Sequence, residues 1–442
     1  MKANMQKHSY YERRSCNLKS DRLYICIDLK SFFASVECVE RHLDPMTTNL
    51  VVADPERSKN TICLAITPAM KALGIKNRCR VFQIPPQIQY IMAVPRMQLY
   101  IDYAAKVYGV YLKYVSPTDI HVYSVDEAFL DVTDYLKTYN MNGKQLGVII
   151  MEDIFQQTGI RATCGIGTNL YLAKIALDIT AKHSPNFLGI LNEETYRNSL
   201  WHHKPLTDFW RIGRGTANRL AKLGITDMAG IAKCCEDLLY SVFGKDAELL
   251  IDHAWGIEPT TLADIKSYRS AVHSISSGQV LMRDYTFDEA MIIIREMTDM
   301  LCLDLVDKNL VTSSVTLWIC YSNKLNIPPS NGSIKLNTET NGDLIIIPAV
   351  IDLYSKITDK TKPIRRINIS FNNVHREEYC CYSLFEEEND LFIKNRNVQK
   401  AVINLKKRFG KNAILRGMDY QEAATARERN QQIGGHKSGV QT

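Results

Sequence analysis

Two adjacent carboxylates, Asp126 and Glu127, sit inside the β-prone run Tyr123-Ser124-Val125-Asp126-Glu127-Ala128-Phe129-Leu130-Asp131, with a hydroxyl just ahead of them. A second apolar run, Leu23-Tyr24-Ile25-Cys26-Ile27-Asp28, also ends on a carboxylate. Burying one charge without a partner is costly and burying two side by side is worse, so an ion or a cation cluster should compensate them. Two strands that each deliver Asp to one spot make a divalent-metal site the first expectation. Two-metal phosphoryl or nucleotidyl transfer needs carboxylates that bridge ions about 3.5–4 Å apart. Asp28 and Asp126 would bridge, and Glu127 would be the extra ligand on one metal. The bland alternative makes Asp28 the cap of a helix starting near Ser31 and Asp126-Glu127 a solvated turn.

Other segments bear on that choice. Leu29 to Phe33 reads as a helix start whose backbone N–H groups would face the same spot, an arrangement suited to a triphosphate. Phe32-Phe33 is most often core, but one ring could pack against a nucleotide sugar. Gly165-Ile166-Gly167 leads into a helix that carries Lys174. It is weak as a phosphate loop, since it is neither a Walker A motif nor a full Gly-x-Gly-x-x-Gly. Lys174 and Asp178 also have the spacing of a surface i,i+4 pair. Ile212-Gly213-Arg214-Gly215 between two short helices has the helix-hairpin-helix pattern, which offers backbone N–H groups to a nucleic-acid phosphate. His202-His203 has no Cys or His at ligand spacing and reads as surface, so zinc is not expected.

The elements that must position these residues follow from pattern and breakers. A strand–helix–strand hairpin–helix–strand–helix order through about Ala181, with the acids on strands, points to a ferredoxin-like sheet. Tyr100 to Tyr114, Asn142 to Gln157 and Asn169 to Ala181 read as helices, and Arg161 to Ile166 as a strand. Past Pro185 come short helical pieces up to about Thr261. Val311 to Tyr321 alternates as a strand, Asp288 to Asp304 is a long helix, and Asn326 to Gly342 reads as a polar loop. From about Glu377 the chain becomes an acidic patch, a basic helix and a loose Gly/Gln/Arg-rich end.

At 442 residues the chain is too long for one core. Its 45% hydrophobic and 23% charged residues are ordinary globular composition. A net charge of +6 permits a polyanionic partner without demanding one. No apolar run approaches the ~18 residues that span a bilayer, and the polar N-terminus has no signal-like apolar region. The 12 cysteines include no Cys-x-x-Cys, which suggests reduced, mostly buried thiols in the cytosol.

Together the motifs resemble those of Y-family translesion DNA polymerases, specifically the bacterial UmuC-type branch. The match lies in Ile-Asp-x-x-x-Phe-Phe-Ala-Ser-Val-Glu at 27–37, Ala-Met-Lys-Ala-Leu-Gly-Ile at 69–75, Tyr-Ser-Val-Asp-Glu-Ala-Phe-Leu-Asp at 123–131 and Gly-Ile-Gly-x-Asn-x-x-Leu-Ala-Lys-Ile-Ala at 165–176. The hairpin at 212–215 follows in the right order. The resemblance implies an α+β multidomain, right-hand polymerase. Its parts would be an N-terminal extension (1–21), a ferredoxin-like palm (22–31 and 96–181), small fingers (32–95) and a helix-hairpin-helix thumb (182–262). A linker (263–272), a β-rich little finger (273–376) and a C-terminal tail (377–442) would complete it.

It further implies two Mg²⁺ held by Asp28, Asp126, Glu127 and the Leu29 carbonyl, and Phe33 as a steric gate against a ribose 2′-OH. The Phe32 and Phe33 amides, Lys71 and Lys174 would bind the triphosphate, and Ile212, Gly213 and Gly215 would contact DNA. Expected partners are primer-template DNA, dNTP and, through Leu384 and Phe385 of Cys381-Tyr382-Ser383-Leu384-Phe385, the sliding clamp. A monomer in the bacterial cytoplasm, associated with the nucleoid, completes the expectation. Two departures stand out: Pro68 and Lys71 replace the Tyr and Arg that often contact phosphate in the fingers, and Cys381 replaces the Gln of the clamp motif. Competing readings are a non-catalytic DNA-binding accessory protein and a palm-type nucleotidyl cyclase, for which the hairpin and the strand-rich C-terminal domain would have no use.

Overall fold

The computed structural model describes residues 22–56, 60–270, 273–378 and 386–439. The chain divides into two compact units, Met1–Tyr268 with Lys437–Thr442 and Arg269–His436. The division falls inside the stretch expected as a linker.

In the first unit β1 (Tyr24–Leu29) is almost wholly buried, as a central strand covered on both faces must be. α1 (Phe32–Val39) follows. A small sheet of order β3-β2-β4 is built from β2 (Leu50–Val52), β3 (Ala65–Ile66) and β4 (Ile91–Ala93), and the short α2 (Pro68–Ala72) lies between the last two in sequence. Then come α3 (Met97–Tyr111), β5 (Ile120–Val122), β6 (Glu127–Asp131), α4 (Tyr135–Tyr139), α5 (Gly143–Thr158), β7 (Ala162–Gly167) and α6 (Leu170–Ile175). α3 and α5 pack together over a core that includes Ile25, Ile27, Leu130, Ile150 and Ile166.

The main sheet runs β5-β6-β1-β7 and continues into β8 (Leu188–Leu191). Its first four strands have the order of a split βαβ unit, the expected ferredoxin-like arrangement. The fifth strand departs from the short helices expected past Pro185. Leu188-Gly189-Ile190-Leu191 is an apolar run of strand length, and it pairs parallel with β7. The sheet therefore extends past residue 181.

A helical cluster follows: α7 (Glu193–Leu200), α8 (Arg214–Lys222), α9 (Met228–Lys233), α10 (Glu236–Phe243) and α11 (Asp246–Trp255), around Tyr196, Phe209 and Leu239. α12 (Leu262–Ser267) ends this part of the unit.

The second unit contains an antiparallel sheet of order β11-β10-β12-β9. Its elements in sequence are β9 (Ile275–Tyr285), α13 (Phe287–Asp307), β10 (Leu310–Tyr321), β11 (Ser330–Thr340), α14 (Asp343–Ile357) and β12 (Ile364–Asn372). β11 corrects the polar loop expected over 326–342. Its residues alternate between exposed and inward positions, Ile334 pairs with Val315, and Leu336 is buried. Polarity concealed a period of two on an edge strand, where charged and polar side chains are the rule.

The C-terminal part was expected to be loose and is anchored instead. After α15 (Glu386–Phe409), Arg416 pairs with Asp299 and, at 2.6 Å, with Asp343. Ala423 enters the core, and the amides of Thr425 and Ala426, leading into α16 (Ala426–Asn430), donate to Glu296. Buried carboxylates that await donors explain why a polar, glycine-containing segment is held.

Candidate active site

β1 and β6 pair antiparallel with Asp28 opposite Glu127 and Cys26 opposite Phe129. Directly opposed residues share one face with Cβ atoms about 4.5–5.5 Å apart. The pairing continues one step further, because the Leu29 N–H donates to the Asp126 carbonyl at 2.9 Å. Asp28, Asp126 and Glu127 therefore meet at one end of the sheet. Ser124 Oγ, the hydroxyl ahead of the acids, donates to Asp126 Oδ1 at 2.6 Å, and the Cys26 thiol donates to Glu127 at 3.3 Å. Burial pushes the Asp28 carboxyl up to about 6, against the pull of Lys182, and the charges of Asp126 and Glu127 push the same way.

What holds these acids is lysine. Lys174 Nζ lies 2.7 Å from the Glu127 carboxylate and 3.0 Å from Asp178. Lys182 Nζ lies 2.7 Å from Asp178 and 3.1 Å from Asp28 Oδ2. The result is a continuous chain, Glu127–Lys174–Asp178–Lys182–Asp28. Among the described residues no three His, Cys, Asp or Glu side chains already converge in a metal-coordinating arrangement. Burial disfavours both ammonium groups, but their acid partners more than compensate and raise both lysines above their ordinary values.

The glycines of β7 explain how α6 comes so close. A Cβ on Gly165 would lie 2.3 Å from the Ala173 carbonyl oxygen, and one on Gly167 would lie 2.2 Å from the Ala173 nitrogen. Gly-Ile-Gly is thus a groove in the sheet for α6 and not a phosphate loop. The N-terminus of α6 is closed by its own Asn169, whose Oδ1 accepts from the Leu172 N–H at 2.8 Å.

At the start of α1 the situation is the opposite. Ser31 has φ of 51°, no side chain caps the helix, and the buried Ser31 Oγ has no hydrogen-bond partner. The uncapped amides of the first turn, Phe32 to Ala34, lie four to six residues after Asp28, which leaves an anion site open. Phe32 is in the core. Phe33 is only partly buried and stacks on Tyr100, with ring centroids 4.6 Å apart at 20°. Tyr100 is itself fixed by donating to the buried Glu37 at 2.7 Å. Lys71 is exposed on α2 and lowered, by desolvation first and also by the charge of Lys182, against the pull of Asp28. Burial followed by the charge of Lys71 depresses Lys30, so Lys30, Lys71 and Lys182 share a cationic surrounding beside the acids.

In the helical cluster Ile212 is buried, while Gly213, the N-cap of α8, and Gly215 are exposed with open space where a Cβ would be. The element before this hairpin is the 3₁₀ turn Leu206–Asp208 and not a full helix. His202 and His203 each pair with a carboxylate, Asp227 and Asp208, at 2.9 Å, and His202 is on the surface as expected. Leu384 and Phe385 lie outside the described residues. Lys182, Tyr100 and Glu37 were not singled out from sequence. For Lys182 the signal was present as Lys-x-x-x-Asp-x-x-x-Lys at 174–182, of which only the first half was read.

Residues 27–178 match the impB/mucB/samB family, and residues 272–382 match that family's C-terminal domain, together more than half of the chain. The chain belongs to the impB/mucB/samB family. This family member is 29% identical over 417 residues to the Bacillus subtilis protein UvrX, named for UV-damage repair, covering 94% of this chain and 97% of that one. It is 28% identical over 427 residues to DNA polymerase IV 2 of Bacillus subtilis, covering 95% and 100% of the two chains. A solved Y-family DNA polymerase chimera superposes with a TM-score of 0.62 at 22% identity, over 80% of this chain and all of the chimera, which shows the fold. Family and fold together make this impB/mucB/samB protein a DNA polymerase of the Y-family translesion type. No helix among its described residues is long and apolar enough to cross a membrane.

Proposed function

We propose that the chain adds deoxynucleotides to a primer 3′-OH opposite a DNA template, including damaged template, at the end of the sheet where Asp28, Asp126 and Glu127 meet. The register that sets Asp28 opposite Glu127, with Asp126 bonded to Leu29, carries the reading. The donor set suits hard divalent cations: carboxylate and carbonyl oxygens, with one carboxyl raised by burial first and by its acidic neighbours after that, and with two contacting lysines, Lys174 and Lys182, against three acids. Asp28, Asp126, Glu127 and the Leu29 carbonyl would hold two Mg²⁺. When bound, the ions supply activation of the 3′-OH and neutralisation of the triphosphate charge.

The chain's own groups bind and orient. The uncapped amides of Phe32 and Phe33 would donate to an anion, and Lys30, Lys71 and Lys174 would add positive charge around the triphosphate. Lys71 does so as a point charge, without the bidentate fork of an arginine. Phe33, backed by Tyr100, forms a wall that a ribose 2′-OH would meet. Gly213 and Gly215 offer backbone N–H groups to a DNA phosphate. The parts assigned from sequence as palm, fingers, thumb and little finger, clamp binding through Leu384 and Phe385, a monomeric state and a place in the cytoplasm at the nucleoid belong to the same reading.

The test is extension of a primed template with dNTP and Mg²⁺. Extension that is lost in Asp126→Ala is expected. No extension by the native chain, or extension unchanged in Asp126→Ala, overturns the proposal. A cyclic product formed from nucleotide alone would support a cyclase instead.

A further inference from the structure

Lys174, Asp178 and Lys182 lie along one helical segment that is not α-helical throughout. After α6 the backbone forms a π-helical turn at Ala176–Thr180 and then a 3₁₀ turn at Ala181–His183. In a straight α-helix eight residues make about 2.2 turns, which would leave Lys182 roughly 80° around the axis from Lys174. An i→i+5 turn takes in one more residue and keeps the three side chains in one row over the acids. Such π turns inside helices recur at functional sites.

The two lysines differ in freedom. The Lys174 side chain is 7% exposed and the Lys182 side chain 39% exposed. Asp178 touches both, and its contact with Lys182 is the shorter of that lysine's two.

We infer that Lys182 is a positioning residue that holds the Asp28 carboxylate until a divalent cation arrives and is then passed to Asp178. The inference rests on the reading of Asp28, Asp126 and Glu127 as cation ligands. Lys174 is enclosed and stays between Glu127 and Asp178. Lys182 has a second carboxylate already within reach, so its release from Asp28 costs no unpaired charge. Asp178, which lies outside the proposed set of cation ligands, is the receiving group.

The experiment is Mn²⁺ binding to the full chain without DNA or nucleotide, read by electron paramagnetic resonance, with thermal unfolding in EDTA beside it. Lys182→Ala removes the competitor: Mn²⁺ should bind at least threefold tighter and the EDTA-treated protein should melt earlier. Asp178→Asn removes the receiving group: Mn²⁺ should bind at least threefold more weakly. Lys182→Arg should restore the melting temperature in EDTA. Lys71→Ala, which removes a charge that Asp28 feels without touching, should shift binding by less than Lys182→Ala does. Equal affinities in Lys182→Ala and the native chain, or equal shifts in Lys182→Ala and Lys71→Ala, overturn the inference while leaving the cation site intact. A native chain whose Mn²⁺ binding survives Asp28→Ala and Asp126→Ala overturns the cation reading itself.

Discussion

Asp28 and Glu37 are separated by little more than one short helix, and both are acids taken out of water, yet their surroundings are built on opposite plans. Glu37 is fully buried and accepts hydrogen bonds from Arg96, Arg41 and Tyr100. Burial alone would raise it, but those donors pull it below the ordinary carboxylate value. Asp28 has two acids for neighbours and one half-exposed lysine, and it is pushed up to about 6. A planar guanidinium clamps a carboxylate in one geometry, whereas an ammonium on a flexible stem can leave. The chain closes the acid that holds α1 against α3, and it leaves under-compensated the acid that faces an incoming charge. Perturbed acids of the second kind mark working sites.

That contrast can be broken or sharpened by substitution. Asp126→Ala should cost about 4 kcal/mol of transition-state stabilisation, about 10³-fold in primer extension, with the melting temperature in EDTA kept or raised. A parallel loss of folding would show that the acid cluster is structural.

Glu37→Gln should cost about 3 kcal/mol of stability at pH 7, because it breaks a buried ion pair network. Its folded pKa is depressed, so this contribution is present above the unfolded value and is lost as pH falls through the folded one. Denaturant titrations at pH 7 and pH 3 should therefore differ less between variant and native chain at the lower pH.

Asp28→Asn should act with the opposite sign. The raised carboxyl is protonated in both states only below pH ~3, so it costs nothing there, and the cost of ionising it grows as pH rises to about 6. In EDTA the variant should be more stable than the native chain by up to about 3 kcal/mol at pH 8 and equal to it at pH ~3. A variant that is less stable at pH 8 would show that Lys182 compensates Asp28 fully.

The smallest effect belongs to the wall of the nucleotide site. Phe33→Ala should raise the use of ribonucleotides relative to deoxynucleotides by about tenfold, a pocket-scale discrimination, and an unchanged ratio would remove Phe33 from sugar selection.

The acids were legible because carboxylates inside or at the end of apolar, β-prone runs need a compensating charge, and those runs placed them at the ends of neighbouring strands before any geometry was known. The ferredoxin-like order was legible for the same reason. Local pattern could not show what three dimensions add. Gly165 and Gly167 looked like a weak phosphate loop because a glycine that admits a helix and a glycine that admits a phosphate are the same residue. The Asp178–Lys182 half of the i,i+4 pattern went unread, and that Lys182 also reaches Asp28 depends on a π turn, which α-helical spacing does not anticipate. β11 went unread because an edge strand's polarity imitates a loop. The tail's anchoring depends on Glu296, Asp299 and Asp343, acids far away in sequence.

The most direct measurement is single-turnover primer extension by Asp28→Asn and Glu37→Gln, each at a temperature where unfolding curves show it fully folded. The expected result is a stable Asp28→Asn protein that no longer extends the primer and a weakened Glu37→Gln protein that extends it at near the native rate. An Asp28→Asn protein that extends the primer as the native chain does would contradict the assignment of the acid cluster as the centre of nucleotidyl transfer.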